Sequence, residues 1–119
     1  MRMVRTKRVH DPVEHEDGYR VLVDRLWPRG VRKQDLVHDE WMKKIAPSGA
    51  LRRWFGHAPE RFEAFAERYR RELEGNEEFD HLAEIATERP VTLLYAAKDR
   101  EHNHAVVLAE SLEKRLRAD

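Results

Sequence analysis

Two short apolar runs stand out from a strongly polar chain, and each one ends in charged or turn-forming residues. The first comprises Val21, Leu22 and Val23 and leads into the polar end of the stretch 19–30, YRVLVDRLWPRG. The second covers residues 91–97 and is apolar at almost every position. Short runs of this kind indicate buried β-strands that are covered on both faces. We therefore predict two central strands in a sheet with helices on both sides.

Apolar residues at helical spacing predict four helices around these strands. The first begins after a Ser48 N-cap and ends at Gly56, and the second begins after Pro59 and ends at Gly75. Asn76 is the predicted N-cap of the third helix, and Asp99 is the predicted N-cap of the last. Residues 3–9 favour a strand at or near an edge of the sheet, whereas residues 39–45 fit either a short strand or a helical turn.

The order of these elements predicts an α/β fold in one domain over residues 1–119. The expected architecture is a small layered sandwich with a mainly parallel sheet flanked by helices. The aromatic residues of the first two helices share one apolar stripe, which predicts a single aromatic cluster on the sheet. Its expected members are Trp54, Phe55, Phe62, Phe65 and Tyr69.

Composition narrows the function classes. Lys and Arg number 23, as do Asp and Glu, so the formal net charge is zero and gives no global argument for binding nucleic acid or a membrane. The chain contains no cysteine, which excludes disulfides, thiol catalysis and cysteine-ligated zinc. No signal-peptide core and no bilayer-length apolar run is present, so the expected compartment is the cytoplasm and no membrane partner is expected.

The first candidate site lies where the Val21–Val23 run ends. Asp24, Arg25 and Arg29 combine a carboxylate with two guanidiniums, which suits the bidentate binding of an anionic ligand. Ligands of open α/β sheets collect at the carboxyl ends of strands. Trp27 adds an apolar wall. The alternative is a structural ion pair that holds the loop after the strand.

The second candidate group follows the apolar run 91–97. Lys98, Asp99 and Asn103 are expected ligand-binding residues at the start of a helix, and His102 is an expected acid or base. The alternative is that Asp99 only caps the helix. If the two strands are parallel neighbours, both groups meet on one rim, with an arginine in reach of a carboxylate. There Asp24 would position the reacting groups, and His102 would transfer the proton.

No metal site and no cofactor is predicted. The loop of residues 10–18 contains two histidines and several carboxylates, but their spacing matches no defined metal motif. His102 and His104 would lie on different faces of a helix and would not share a metal. Neither a Walker-type loop nor a GxGxxG fingerprint occurs, so the sequence does not indicate a standard nucleotide-binding fold.

Five ordered blocks of the chain resemble the YeaO-like family, a branch of a larger bacterial and archaeal family of unknown function. The blocks are DRLWPRG (24–30), WMKKIAPS (41–48), LRRWFGH (51–57), FAERYRREL (65–73) and VTLLYAAKDREHNHAVVL (91–108). This resemblance implies a compact α/β sandwich with the strand-end blocks as its signature, and it implies no activity. Broader relatives often carry cysteines where this chain has Ala96-Ala97 and His102-Asn103, so a thiol mechanism does not transfer.

Three hypotheses for function follow. The first is a small protein that binds, and in one version turns over, an anionic phosphate- or nucleotide-containing ligand at the strand carboxyl ends. The second is a nucleic-acid-associated module that uses Trp27 for stacking and two groups of basic residues: Arg2, Arg5, Lys7 and Arg8 at the start of the chain, and Arg29, Arg32 and Lys33 in the loop. The third is a protein-partner-binding module without catalysis. The sequence does not indicate an oligomeric state.

Overall fold

A computed structural model describes residues 4–118, so Met3 of the predicted first strand lies outside the described residues. The chain forms four strands and four α-helices: β1 (Val4–Arg8), β2 (Tyr19–Leu22), β3 (Glu40–Trp41), α1 (Gly49–Phe55), α2 (Phe62–Leu73), α3 (Glu77–Glu88), β4 (Val91–Tyr95) and α4 (His104–Ala118). Single 3-10 turns occur at His15–Asp17, Lys33–Asp35, Lys43–Ile45 and Pro59–Arg61. In this part of the chain no helix is long and apolar enough to cross a membrane.

The four strands form one sheet in the order β1-β4-β2-β3, and every pairing is parallel. This confirms the predicted α/β class with a parallel sheet. All five residues of β4 are buried, as expected for its apolar run. Val21 of β2 is in register with Leu93 of β4. The carboxyl ends of β2 and β4 therefore lie side by side on one edge of the sheet.

All four α-helices pack on one face of the sheet. Their buried residues form a single core with the β-strand residues Val21, Val91 and Leu93. The opposite face is covered by loops, whose Leu36 and Trp27 pack on Leu22 and Leu94. The prediction that helices cover both faces is therefore wrong for the second face. Strand burial requires apolar cover, and ordered loops supply it as well as helices do.

The predicted aromatic cluster is present for four of its five members. Phe55 and Phe65 stack with ring centroids 4.4 Å apart, and Phe65 stacks on Tyr69 at 5.9 Å. Phe62 joins the row 6.0 Å from Phe55. Trp54 packs against the same core, but among the described residues it makes no ring–ring contact, and its ring lies against two cations: Arg61 at 5.4 Å and Arg68 at 4.2 Å. The ring row lies beneath the edge at which β2 and β4 end.

Helix capping follows the sequence in two places and departs from it in a third. Ser48 accepts a hydrogen bond from the Leu51 amide, and Asn76 accepts one from the Phe79 amide. The last helix is capped by Asn103, whose Oδ1 accepts from the Val106 amide at 3.0 Å. The prediction of Asp99 as this cap is therefore wrong. The segment before α4 is a tight loop, and the helix begins only at His104.

Candidate functional site

A cavity of about 610 Å³ opens where β2 and β4 end, at the edge of the sheet predicted to hold a site. Three segments surround it: the loop after β2, the loop before α4, and α1 with its flanking residues. Its charged and imidazole-bearing lining residues are Asp24, Arg25, Arg29, Arg52, Arg53, His57, His102 and His104. Apolar residues, among them Pro28, Phe55 and Phe65, supply much of the remaining wall. The cavity volume falls within the range of small-molecule sites.

The charge of this lining is unbalanced, although the whole chain is neutral. Four arginines line the cavity against a single carboxylate, Asp24. None of these arginines makes a side-chain hydrogen bond or an ion pair with residues 4–118. Arg25 and Arg29, which the sequence predicted as ligand-binding residues, line the cavity. Lys98 and Asp99 were predicted as well, but they do not line it. The described part of the cavity thus carries a surplus of guanidinium groups.

Asp24 is held by the protein itself. Its Oδ2 accepts a hydrogen bond from the Ala96 amide at 3.0 Å, which joins the ends of β2 and β4. Its Oδ1 lies 3.2 Å from His104 Nε2, is buried, and accepts no hydrogen bond from the described residues. The expected ion pair of Arg25 or Arg29 with Asp24 or Asp99 is not formed in the described part of the chain. The Ala96 amide therefore fixes the Asp24 carboxylate, and His104 lies beside its second oxygen.

His104 is a site residue that the sequence analysis missed. Its Nε2 lies 3.0 Å from the Val23 carbonyl oxygen, which only accepts, so Nε2 carries a proton. The ring packs edge-on against Tyr69, with centroids 6.2 Å apart. The sequence predicts a helix that starts at Asp99, in which His102 and His104 lie on different faces. In the structure the helix starts at His104, and both rings line the cavity.

His102 lines the cavity but pairs with Asp99 outside it. Its Nδ1 donates to Asp99 Oδ2 at 2.9 Å, and its ring meets Phe62 edge-on at 5.3 Å. The His102 and Glu101 amides and the His102 ring lower the pKa of Asp99 below its ordinary 3.8. Asn103 is almost completely buried, caps α4 and donates to the Asp99 carbonyl at 2.9 Å. Of these residues, His102 alone keeps a ring nitrogen, Nε2, without a partner in the described residues.

The first helix contributes a second set of cations. Arg52 and Arg53 lie in α1, and His57 follows Gly56 at its end. Gly56 and His57 both adopt left-handed backbone conformations, with φ of 53° and 57°. Such a conformation is strained for histidine, and residues of this kind concentrate at functional sites. The helical pattern places Arg52 on the face opposite the apolar stripe of α1 and leaves open whether it reaches a cleft or solvent, so it does not reveal that α1 faces the strand ends.

Trp27 lines the cavity but is largely occupied by packing. Its ring lies edge-on to Trp41 at 5.3 Å and to His38 at 5.4 Å, and its Nε1 donates to the Val31 carbonyl at 2.6 Å. Trp41 in turn donates to the Asp24 carbonyl at 2.8 Å. These contacts fix the loop after β2 and with it the backbone of Arg25 and Arg29. Trp27 therefore forms a wall of the cavity, as expected, and is not a free stacking platform.

A second group of charges lies on the loop-covered face of the sheet, around Asp17. This carboxylate is 1% exposed and forms ion pairs with Lys7, at 2.7 Å, and with Arg20. Lys7 also pairs with Glu14 at 2.6 Å, and the Glu14 amide donates to Asp17. Burial acts to raise the pKa of Asp17, but the hydrogen bonds from Lys7, the Glu14 amide and Arg20 outweigh it and the pKa is lowered.

Three basic residues near the start of the chain, Arg5, Lys7 and Arg8, have partners within the protein. Lys7 is bound as above, and Arg8 donates from Nε to the Ala97 carbonyl at 3.0 Å. Arg5 lies 4.0 Å from Asp17, and Arg2 lies outside the described residues. Lys7 and Arg8 therefore contribute no free basic patch to the nucleic-acid hypothesis, whereas the loop residues Arg29, Arg32 and Lys33, its second basis, are exposed.

Comparison with known proteins identifies the protein family to which this chain belongs. The family model described as "Inactive DUF488-N3 subclade" matches residues 3–119. The chain is 52% identical over 110 residues to the "Uncharacterized protein YeaO" of Escherichia coli (strain K12). These aligned residues make up 92% of this chain and 96% of the relative. The chain belongs to this family of YeaO-like proteins.

Mycobacterial relatives are also similar. The "Uncharacterized protein Mb3100c" of Mycobacterium bovis (strain ATCC BAA-935 / AF2122/97) is 43% identical over 112 residues, which is 94% of this chain and 95% of the relative. The "Uncharacterized protein Rv3073c" of Mycobacterium tuberculosis (strain ATCC 25618 / H37Rv) matches to the same extent. No solved structure matches the chain. The relatives thus share the fold family and carry no assigned activity in their names.

Proposed function

We propose that this protein binds a small anionic ligand, phosphate- or nucleotide-containing, in the cavity at the carboxyl ends of β2 and β4. The observation that carries the proposal is the group of four arginines around one cavity, without carboxylate partners in the described residues. Guanidinium groups present a planar fork of donors that matches phosphate and carboxylate oxygens. Grouping four of them costs electrostatic repulsion, which a bound anion would relieve. The expected cytoplasmic location stays part of this proposal.

The roles of the individual residues follow from their contacts. Arg25 and Arg29, together with Arg52 and Arg53, would hold the anionic group. His102 would contact the ligand through its free Nε2, since Nδ1 is bound to Asp99. Asp24 would hold the rim together through Ala96 and His104 and would not act as an acid.

We propose binding without turnover. The name of the matched family, an inactive subclade, supports this choice. The contacts of Asp24 support it too, because a carboxylate engaged with the Ala96 amide and beside His104 is a structural group more than a proton carrier. Phosphorus NMR of a phosphate ester incubated with the protein should show no new signal. A product signal that is lost in His102→Ala would instead establish catalysis.

The test of binding is thermal unfolding in the presence of phosphorylated compounds, since a ligand that binds only the folded state raises its stability. The wild type should be stabilised by at least one phosphate ester at millimolar concentration. A variant in which glutamine replaces all four cavity arginines should lose this stabilisation. The matched control replaces four arginines outside the cavity with glutamine: Arg32, Arg71, Arg89 and Arg117.

The control removes the same charge, so it separates a site from general attraction to a basic protein. It should retain the full stabilisation. Equal losses in the two variants, or no stabilisation of the wild type by any compound, would contradict the proposal. If the cavity variant fails to fold, the single variants Arg29→Gln and Arg52→Gln keep the test open, because each side chain is exposed and lacks a partner in the described residues.

A further inference from the structure

The arginines of the cavity come in two pairs on two separate elements. Arg25 and Arg29 belong to the loop after β2, which Trp27 and Trp41 fix against the sheet. Arg52 and Arg53 belong to α1, whose Leu51 and Phe55 anchor it in the core. The two pairs line the same cavity from independently anchored segments. A ligand that fills the cavity would therefore meet both pairs.

The charge of one phosphoryl group does not balance this lining. Four arginines against Asp24 leave three positive charges uncompensated when the histidines are neutral. A phosphoryl group carries about −1.5 to −2 near neutral pH. One such group would leave positive charge in the cavity, whereas two would neutralise it.

The size of the cavity leads to the same conclusion. Small-molecule sites occupy roughly 300–1,000 Å³, and about 610 Å³ is far more than one tetrahedral anion needs. Bidentate binding of all four guanidiniums to a single phosphate would also crowd four like charges around one anion. A ligand that reaches both pairs needs a second anionic group.

We infer that the ligand carries two anionic groups, one for each arginine pair, as in a diphosphate or a bisphosphate. This inference rests on the proposed function and narrows its ligand class. The loop after β2 would bind one group, and α1 would bind the other. The apolar wall formed by Pro28, Phe55 and Phe65 would contact the organic part that carries them.

The experiment is calorimetric titration of the full chain with inorganic phosphate and with pyrophosphate at one ionic strength. Pyrophosphate should bind the wild type at least about tenfold more tightly than phosphate, a difference of about 1.4 kcal/mol, because its second anionic group accepts further hydrogen bonds from guanidinium groups. The double variants Arg25→Gln/Arg29→Gln and Arg52→Gln/Arg53→Gln should each keep phosphate affinity within about threefold and lose the pyrophosphate preference. Arg71→Gln/Arg117→Gln, the charge-matched control, should keep it.

Three results would overturn the inference, and they point to different errors. Equal affinity of the wild type for the two probes would mean one anionic group, with the proposed function intact. A pyrophosphate preference that survives in either cavity variant would mean that charge alone produces it. If neither probe binds, the inference fails together with the proposed function.

Discussion

The two charged clusters of this protein use similar residues in opposite ways. Around Asp17, the cation Arg20 is buried and Lys7 is partly buried, and both meet this carboxylate directly. At the strand carboxyl ends, four exposed arginines surround a cavity whose one carboxylate is engaged with Ala96 and His104. The first cluster neutralises itself between strands and loops. The second stays positive and opens to solvent.

This difference separates charges that maintain the fold from charges available to a ligand. A buried ion pair that loses one partner leaves an uncompensated charge, so the Asp17 cluster should be sensitive to substitution. An exposed guanidinium without a partner contributes little to stability. The stability of variants should therefore distinguish the two regions before any ligand is known.

The largest effect is expected for Asp17→Asn. This change leaves Lys7 and Arg20 without their buried carboxylate and should lower the free energy of unfolding by about 3–5 kcal/mol. Urea denaturation measures it. The control is Asp35→Asn, which removes an exposed pair with Arg32 and should cost at most about 1 kcal/mol. Similar losses in the two variants would remove the distinction between the clusters.

Acid should lower the stability of the fold by protonating two carboxylates, Asp17 and Asp11. The bidentate hydrogen bonds from Arg100 lower the pKa of Asp11 from 3.8 to about 2, and the pKa of Asp17 is also lowered. Because the folded pKa values lie below the unfolded value of 3.8, both carboxylates stabilise the fold above that pH, and the contribution of Asp11 is lost as pH falls toward 2. Stability measured from pH 5 to 2 should fall less steeply in Asp11→Asn. An unchanged slope would contradict this assignment.

An intermediate loss is expected for Asp24→Ala. Removal of the carboxylate leaves the Ala96 amide without its acceptor and should cost about 1–3 kcal/mol. Chemical denaturation measures the loss, and Asp24→Asn, which keeps an acceptor oxygen, should recover part of it. An Asp24→Ala protein as stable as the wild type would mean that this carboxylate is reserved for a ligand.

The smallest effect is expected for Arg52→Gln. This side chain has no partner in the described residues, so the free energy of unfolding should change by less than about 0.5 kcal/mol. The matched substitution is Arg20→Gln in the Asp17 cluster, which should lower stability by a clearly larger amount because Arg20 is 4% exposed and paired. A large loss in Arg52→Gln would assign the cavity arginines a structural role.

The sequence predicted the strands and the edge of the sheet well, because burial of apolar runs is a local property. The run 91–97 identified β4, and the abrupt change from Val23 to Asp24 identified the edge. The cover of the second face was not predictable in the same way. Irregular loops such as the one that supplies Leu36 have no periodicity from which packing follows.

The sequence predicted the part of the candidate site in the loop after β2. It predicted the parts in the loop before α4 and in α1 less well. Arg25 and Arg29 follow a strand, so topology alone places them at the edge. His104 was missed because both Asp99 and Asn103 are good caps, and only the loop geometry decides that Asn103 is used. Arg53 was missed because the approach of α1 to the strand ends depends on tertiary packing.

The most direct test of the difference between the two clusters is a proton–nitrogen NMR titration of the labelled protein with inorganic phosphate. If the cavity binds anions, the shifted amides should cluster at residues 24–29, 52–57 and 96–104 and follow one saturating curve. The amides around Asp17 should not move. Small, non-saturating shifts spread over all basic residues, or shifts centred on Asp17, would contradict the account.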